Sequence, residues 1–146
     1  MRLKLRVLLV ALLMLPVLVS AEVMTVSFSG TEMRSAPKAM ASEVITRLSP
    51  YTPLKVLEKG NEYYKVNDYR GRTGWVHRAL LSSKPGIVVT RDQADVRQGP
   101  GTNHTVIFQL AKGDSCRTIS KEEKWIEIQT ADGRKGWVAK FLNWGH

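Results

Sequence analysis

One cysteine, three histidines and a set of recurring aromatic and arginine side chains are the residues of this chain with a capacity for chemistry. A thiol nucleophile needs a histidine within hydrogen-bond reach. Cys116 instead lies in a segment patterned as a core strand, which suits a small buried hydrophobe. His77, His104 and His146 show no H-x-x-x-H spacing and no other metal-site spacing, so they are expected as lone surface histidines. No glycine-rich phosphate loop precedes a helix. Catalysis, a metal site and a cofactor are therefore not expected. The aromatics offer a different chemistry. Tyr63, Trp75, Trp125 and Trp137 have flat aromatic faces, and Arg34 and Arg97 carry forked hydrogen-bond donors.

These residues recur because the chain reads twice. Gly71-Arg72-Thr73-Gly74-Trp75-Val76 returns as Gly133-Arg134-Lys135-Gly136-Trp137-Val138, with five of six positions identical. The same displacement pairs Tyr63 with Trp125, Val66 with Ile128, Leu54 with Cys116, and Val44-Ile45 with Val106-Ile107. Upstream the displacement grows by one, matching Arg34 with Arg97 and Pro37 with Pro100. One extra residue in the first copy, between Pro37 and Val44, accounts for the change and marks a loop there in both copies. The copies are placed at residues 24–82 and 86–144, joined by the linker-like Ser82-Ser83-Lys84-Pro85-Gly86.

Elements of β type must position the repeated residues. Ile87 to Thr90 is a β-branched run, and Thr105 to Leu110 is apolar enough to suggest a well-buried strand. In Trp125-Ile126-Glu127-Ile128 the isoleucines share one face and Trp125 the other, so Trp125, and Tyr63 with it, points away from the core. Asp132-Gly133 signals a hairpin turn. No segment carries a sustained helical period. Short strands with turns every ten residues or so predict an all-β small barrel or sandwich. Roughly 60 residues per copy is a small core, which favours mutual support between copies. A lone cysteine cannot form an internal disulfide, so that core alone holds the fold.

The N-terminus has a separate logic. Arg2, Lys4 and Arg6 precede the apolar run Val7–Val19, and Val19-Ser20-Ala21 follows with small residues. That is the pattern of a secretory signal peptide over residues 1–21. The run is short for a membrane span and is broken by Pro16. Removal of residues 1–21 takes away three basic side chains and no acid, so the formal charge of +9 becomes +6. A basic exported chain favours anionic partners, and for an exported protein nucleic acid is not expected among them.

Asp95-Val96-Arg97-Gln98-Gly99-Pro100-Gly101, then Leu110-Ala111-Lys112-Gly113, then Gly133 to Val138, together resemble the signature of bacterial SH3-like domains. The second copy fits throughout. The first has Arg34-Ser35-Ala36-Pro37-Lys38 in its opening loop, without either glycine. The resemblance implies two tandem SH3-like β-barrels after a cleaved signal peptide, in a periplasmic or secreted protein. It implies binding of peptidoglycan or its stem peptides at aromatic grooves, with Tyr63, Trp75, Trp125, Trp137, Arg34 and Arg97 as candidates and no membrane span in the mature chain. Docking of an envelope protein without affinity for the wall is the alternative. The closing-strand Trp75 and Trp137 are expected mainly as core residues, and Arg34 and Arg97 mainly as holders of a loop. Gly99 and Gly101 are expected at positive φ around Pro100. Gly136 is expected to leave room for the Trp137 ring, and Trp144 to cap the barrel end. Loops that are basic rather than acidic argue against a proline-rich peptide ligand.

Overall fold

The computed structural model describes residues 21–145; residues 1–20 of the expected signal peptide and His146 lie outside the described residues. The first copy comprises β1 (Val23–Val26), β2 (Thr31–Arg34), β3 (Val44–Leu48), β4 (Pro53–Lys59), β5 (Tyr63–Asn67), β6 (Thr73–His77) and β7 (Leu81–Ser82). The second comprises β8 (Gly86–Val89), β9 (Gln93–Arg97), β10 (Val106–Ala111), β11 (Ser115–Glu122), β12 (Trp125–Gln129), β13 (Lys135–Ala139) and β14 (Asn143–Gly145). The sheet orders are β3-β2-β6-β5-β4-β1-β7 and β10-β9-β13-β12-β11-β8-β14. The two barrels thus share one topology, as the repeat requires. Arg78–Leu80 and Lys140–Leu142 each add a single 3-10 turn, which the sequence pattern did not signal. Among the described residues, no helix is long and apolar enough to cross a membrane.

Alternation along the strands sorts the side chains. In β12, Ile126 and Ile128 are buried while Trp125 and Glu127 face outward. The cores occupy matching positions: Val26, Met33, Leu54, Val66 and Val76 in one barrel, and Val89, Val96, Cys116, Ile128 and Val138 in the other. Cys116 replaces Leu54 as a small hydrophobe, at 1% exposure.

The turns before the closing strands differ in chemistry but not in shape. Gly71 and Gly133 adopt φ of +80° and +93°, a region costly for residues with a Cβ. Buried Asp68 accepts hydrogen bonds from the backbone N–H groups of Arg70 (3.0 Å) and Arg72 (2.9 Å), and from Arg72 Nε (2.7 Å). In the second copy the Thr130 hydroxyl accepts from the Arg134 N–H at 3.0 Å.

Several expectations are corrected. The segment Thr105–Leu110 is not a buried strand: of Val106, Ile107 and Leu110 only Leu110 is buried. β10 is an edge strand, hydrogen-bonded to β9 on one side, and a bulge at Ile107 breaks its alternation. Gly99 and Gly101 do not adopt positive φ. They are small because a Cβ on Gly99 would lie 2.5 Å from the His104 ring and one on Gly101 2.6 Å from Asn103 Oδ1. Gly136 does not make room for the Trp137 ring. A Cβ there would meet Val96 Cγ1 at 2.4 Å and the Arg97 carbonyl at 3.0 Å, so the glycine lets β13 run close over β9.

The barrels dock on one another. The Thr25 hydroxyl donates to the Lys84 carbonyl at 2.8 Å, and the Thr118 N–H to the Pro85 carbonyl at 3.1 Å, pinning the connection between β7 and β8. The Thr52 and Ser115 hydroxyls sit 3.1 Å apart and donate to the carbonyls of Ser49 and Pro50. Gly86 passes so near the first barrel that a Cβ would stand 2.5 Å from the Tyr51 carbonyl. Trp144, expected to cap the barrel end, instead pairs with Val88 and lines a cleft with Lys55, Asn67 and Tyr69 of the first barrel.

Candidate functional site

Two grooves of about 310 and 330 Å³ occupy equivalent positions on the two barrels. Each is built by the same strands. Alternate residues of β2 or β9 project outward and form one wall. The first residue of β5 or β12 supplies an aromatic ring, and the 3-10 turn after β6 or β13 closes the far end. The first groove is lined by Phe28, Glu32, Arg34, Tyr63, His77 and Leu80. The second is lined by Gln93, Asp95, Arg97, Trp125, Phe141 and Leu142, with Thr102 from the opening loop.

The sequence candidates therefore assemble in pairs, Arg34 with Tyr63 and Arg97 with Trp125. Trp75 and Trp137 do not line either groove. They are not core residues, contrary to expectation: both are half-buried on the outer face. Trp75 stands opposite Arg34 and Lys65 in the strand register, and Trp137 opposite Arg97 and Glu127. The core side of β6 and β13 is taken by glycine and valine. This leaves the tryptophans beside the grooves, across the β2–β6 and β9–β13 seams.

Although equivalent in place, the grooves differ in electrostatics. In the first, Arg34 donates from Nε to Glu32 Oε2 at 3.1 Å, its Nη2 lies 2.9 Å from the same oxygen, and its Nη1 donates to the Ser42 carbonyl and hydroxyl. The other Glu32 oxygen is 2.9 Å from Arg47 Nη2. All the nitrogens of Arg34 are engaged within the barrel, and Arg34 holds the loop as expected. Tyr63 packs edge-on against His77 with ring centroids 5.1 Å apart, and His77 Nδ1 accepts from the Ala79 N–H at 3.2 Å.

In the second groove, Arg97 also holds its loop: Nη1 donates to the carbonyls of Thr102 (3.1 Å) and His104 (3.0 Å). Its Nη2 stands 3.6 Å from Asp95 Oδ2, beyond hydrogen-bond range. Asp95 Oδ1 accepts from Gln109 Nε2 at 2.7 Å. Trp125 has no histidine against it, since Ala139 takes the place of His77 in the register. Phe141 is 74% exposed at the groove rim. A planar cationic edge, a carboxylate oxygen and two aromatic surfaces thus converge on one concavity. Such a set can hold polar, weakly apolar ligands without any covalent step.

Sequence reasoning missed Phe141, Phe28 and the two acids. Glu32 and Asp95 pair under the same displacement that pairs the arginines, so their recurrence was a usable signal. The phenylalanines belong to short turns outside the strand pattern and gave none. Cys116 is far from nucleophilic. Burial, with Asp114 nearby, pushes its thiol up to about 12. The cleft it lines carries Asp114, Thr130, Asp132 and Arg134 but no histidine. Among the described residues, no group of three or more His, Cys, Asp and Glu side chains could hold a metal.

Seven strands in this order, repeated with a shared groove, define a tandem all-β barrel protein of SH3-like type. The family model for the bacterial SH3 domain matches residues 29–82 and 92–143, and the chain belongs to that family. It is 40% identical over 61 residues to a probable cell wall amidase LytH of Staphylococcus epidermidis, covering 41% of this chain and 21% of that protein. A LytH of Staphylococcus aureus is 37% identical over 59 residues, covering 40% of this chain and 20% of that protein. The chain spans about a fifth of the length of these curated relatives. Among solved structures, it aligns with an NlpC/P60 family protein from Bacillus cereus at 14% identity and a TM-score of 0.36, over 85% of this chain and 56% of that one.

Proposed function

We propose that this protein is a non-catalytic, exported binding module of the bacterial envelope, periplasmic or secreted, whose second groove binds peptidoglycan through its stem peptides. The observation that carries this reading is the groove of Trp125, Phe141, Arg97 and Asp95, in which the arginine is positioned by its loop yet keeps one edge toward the cavity. Aromatic planes take peptide or sugar faces and the guanidinium takes a carboxylate. Membership of the bacterial SH3 family and the similarity to parts of probable cell wall amidases agree with it. So does the basic charge of the chain, because the wall polymer is anionic. The buried thiol of Cys116, which burial keeps protonated, offers no cysteine nucleophile.

A protein-docking role is the second reading. Val44-Ile45 and Val106-Ile107 are exposed apolar residues on the edge strands of both barrels, and an edge strand can accept a partner strand.

Cosedimentation of residues 22–146 with purified peptidoglycan sacculi, at low and high salt, tests the proposal. Binding that persists at high salt supports a specific aromatic and hydrogen-bonded site. Binding abolished by salt reduces it to charge attraction. No binding in either condition moves the assignment to protein docking.

A further inference from the structure

The two grooves differ in a way that specifies a ligand group. In the first, Glu32 lies between Arg34 and Arg47 at 2.9 Å from each, and the Arg34 fork is used up by Glu32 and Ser42. Its charges are closed on one another. In the second, Asp95 and Arg97 face each other across 3.6 Å without a hydrogen bond, with side-chain exposures of 40% and 20%. Both are held from behind, Asp95 by Gln109 and Arg97 by the Thr102 and His104 carbonyls. Two opposite charges are therefore held side by side at the wall of an aromatic groove, in an ion pair too long for a hydrogen bond.

We infer that the second groove recognises a zwitterionic amino-acid centre, one carbon bearing both an ammonium and a carboxylate. The carboxylate pairs with the free edge of Arg97, the ammonium with Asp95 Oδ2, and the attached aliphatic chain lies along Trp125 and Phe141. A ligand with both charges pairs with two groups at once, whereas a ligand with one leaves the other group to solvent and forgoes one charge-assisted hydrogen bond. In the first groove the corresponding arginine and acid are already hydrogen-bonded to one another and to their neighbours. This inference rests on the reading of the second groove as a wall-peptide site and narrows the part of the peptide it takes.

Three soluble tripeptides separate the possibilities by calorimetric titration into residues 22–146. One ends in diaminopimelate, whose side chain carries the zwitterion. The second replaces it with lysine, which lacks the side-chain carboxylate. The third replaces it with α-aminopimelate, which lacks the side-chain ammonium. The expected order is tightest for the first, with each replacement weakening binding about tenfold. Asp95→Asn, whose amide oxygen still accepts from Gln109, is expected to erase the preference for diaminopimelate over α-aminopimelate and leave the fold intact by circular dichroism. Arg97→Lys, which keeps the charge but loses the fork, is expected to reduce the preference over lysine. Equal affinities for all three peptides overturn the inference, as does a preference that survives Asp95→Asn. If sacculi are bound at high salt while the peptides are not discriminated, the zwitterion reading fails and wall binding stands. If sacculi are not bound either, both fail.

Discussion

Ser115 donates its hydroxyl to the Pro50 carbonyl at 2.9 Å, tying the start of β11 to the turn before β4 in the other barrel. With the Gly86 approach to Tyr51 and the pinned linker, it makes the two small barrels a single docked body. Each core is small for its length, and the interface supplies part of what a lone barrel lacks. Residues 22–146 are therefore expected to unfold in one cooperative transition by calorimetry and by urea. Gly86→Ala, which forces a Cβ to within 2.5 Å of the Tyr51 carbonyl, is expected to split or markedly lower that transition. Ser115→Ala is expected to cost about 1 kcal/mol. Two well-separated transitions in the unaltered protein would refute the docking.

Asp68 gathers two backbone N–H groups and one guanidinium around a fully buried carboxylate. Asp68→Ala leaves those donors without a partner, and a loss of about 2–4 kcal/mol is expected by urea denaturation. Asp68→Thr reproduces the Thr130 solution of the second barrel and is expected to recover part of it. Equal losses for the two variants would show that the turn does not depend on the local acceptor.

Burial pushes the Cys116 thiol from an ordinary 9.0 up to about 12, with Asp114 acting in the same direction. Between these values the unfolded chain releases the proton while the folded chain keeps it. The stability tied to the thiol is complete below the unfolded value and is lost as pH rises toward the folded one. By pH 10.5 this amounts to about 2 kcal/mol. Comparison with Cys116→Ala isolates it from other titrating groups: the stability gap between wild type and variant should narrow from pH 8 to pH 10.5. Rapid labelling of native Cys116 by a thiol reagent at pH 8 would contradict its buried, protonated state.

The two grooves are expected to contribute unequally. Phe141→Ala removes a ring that is mostly in solvent, so sacculus affinity should fall about tenfold with the melting temperature little changed. Trp125→Ala should lower affinity at least as much. Tyr63→Ala, in the groove whose charges are closed, should change it less than about twofold. The reverse order, with Tyr63 dominant, would transfer the site to the first barrel.

The repeat made the fold legible. With Gly71–Val76 aligned to Gly133–Val138, Leu48, Val66 and Val76 pair with Leu110, Ile128 and Val138, and Cys116 is placed by Leu54. What the pattern did not show follows from geometry. Val106 and Ile107 read as core because apolar runs do not reveal which strand ends a sheet. Trp75 and Trp137 read as core because size and a fixed place in the closing strand suggested burial, yet strand alternation gives the inner face to their glycine and valine neighbours. The aromatic and arginine candidates of the grooves were legible from recurrence, whereas their meeting in one groove depends on the fold. The difference between the grooves was not, since it depends on a fraction of an ångström between Arg97 and Asp95 and on which acceptors each arginine already holds.

Nuclear magnetic resonance mapping of soluble peptidoglycan fragments on isotope-labelled residues 22–146 tests the central claim most directly. The account predicts saturable shifts at the Trp125 indole N–H, the Arg97 guanidinium and the Phe141 ring at high salt, with smaller changes around Tyr63 and Arg34. Shifts confined to the edge strands at Val44 and Val106, or no shifts with fragments in excess, would contradict it.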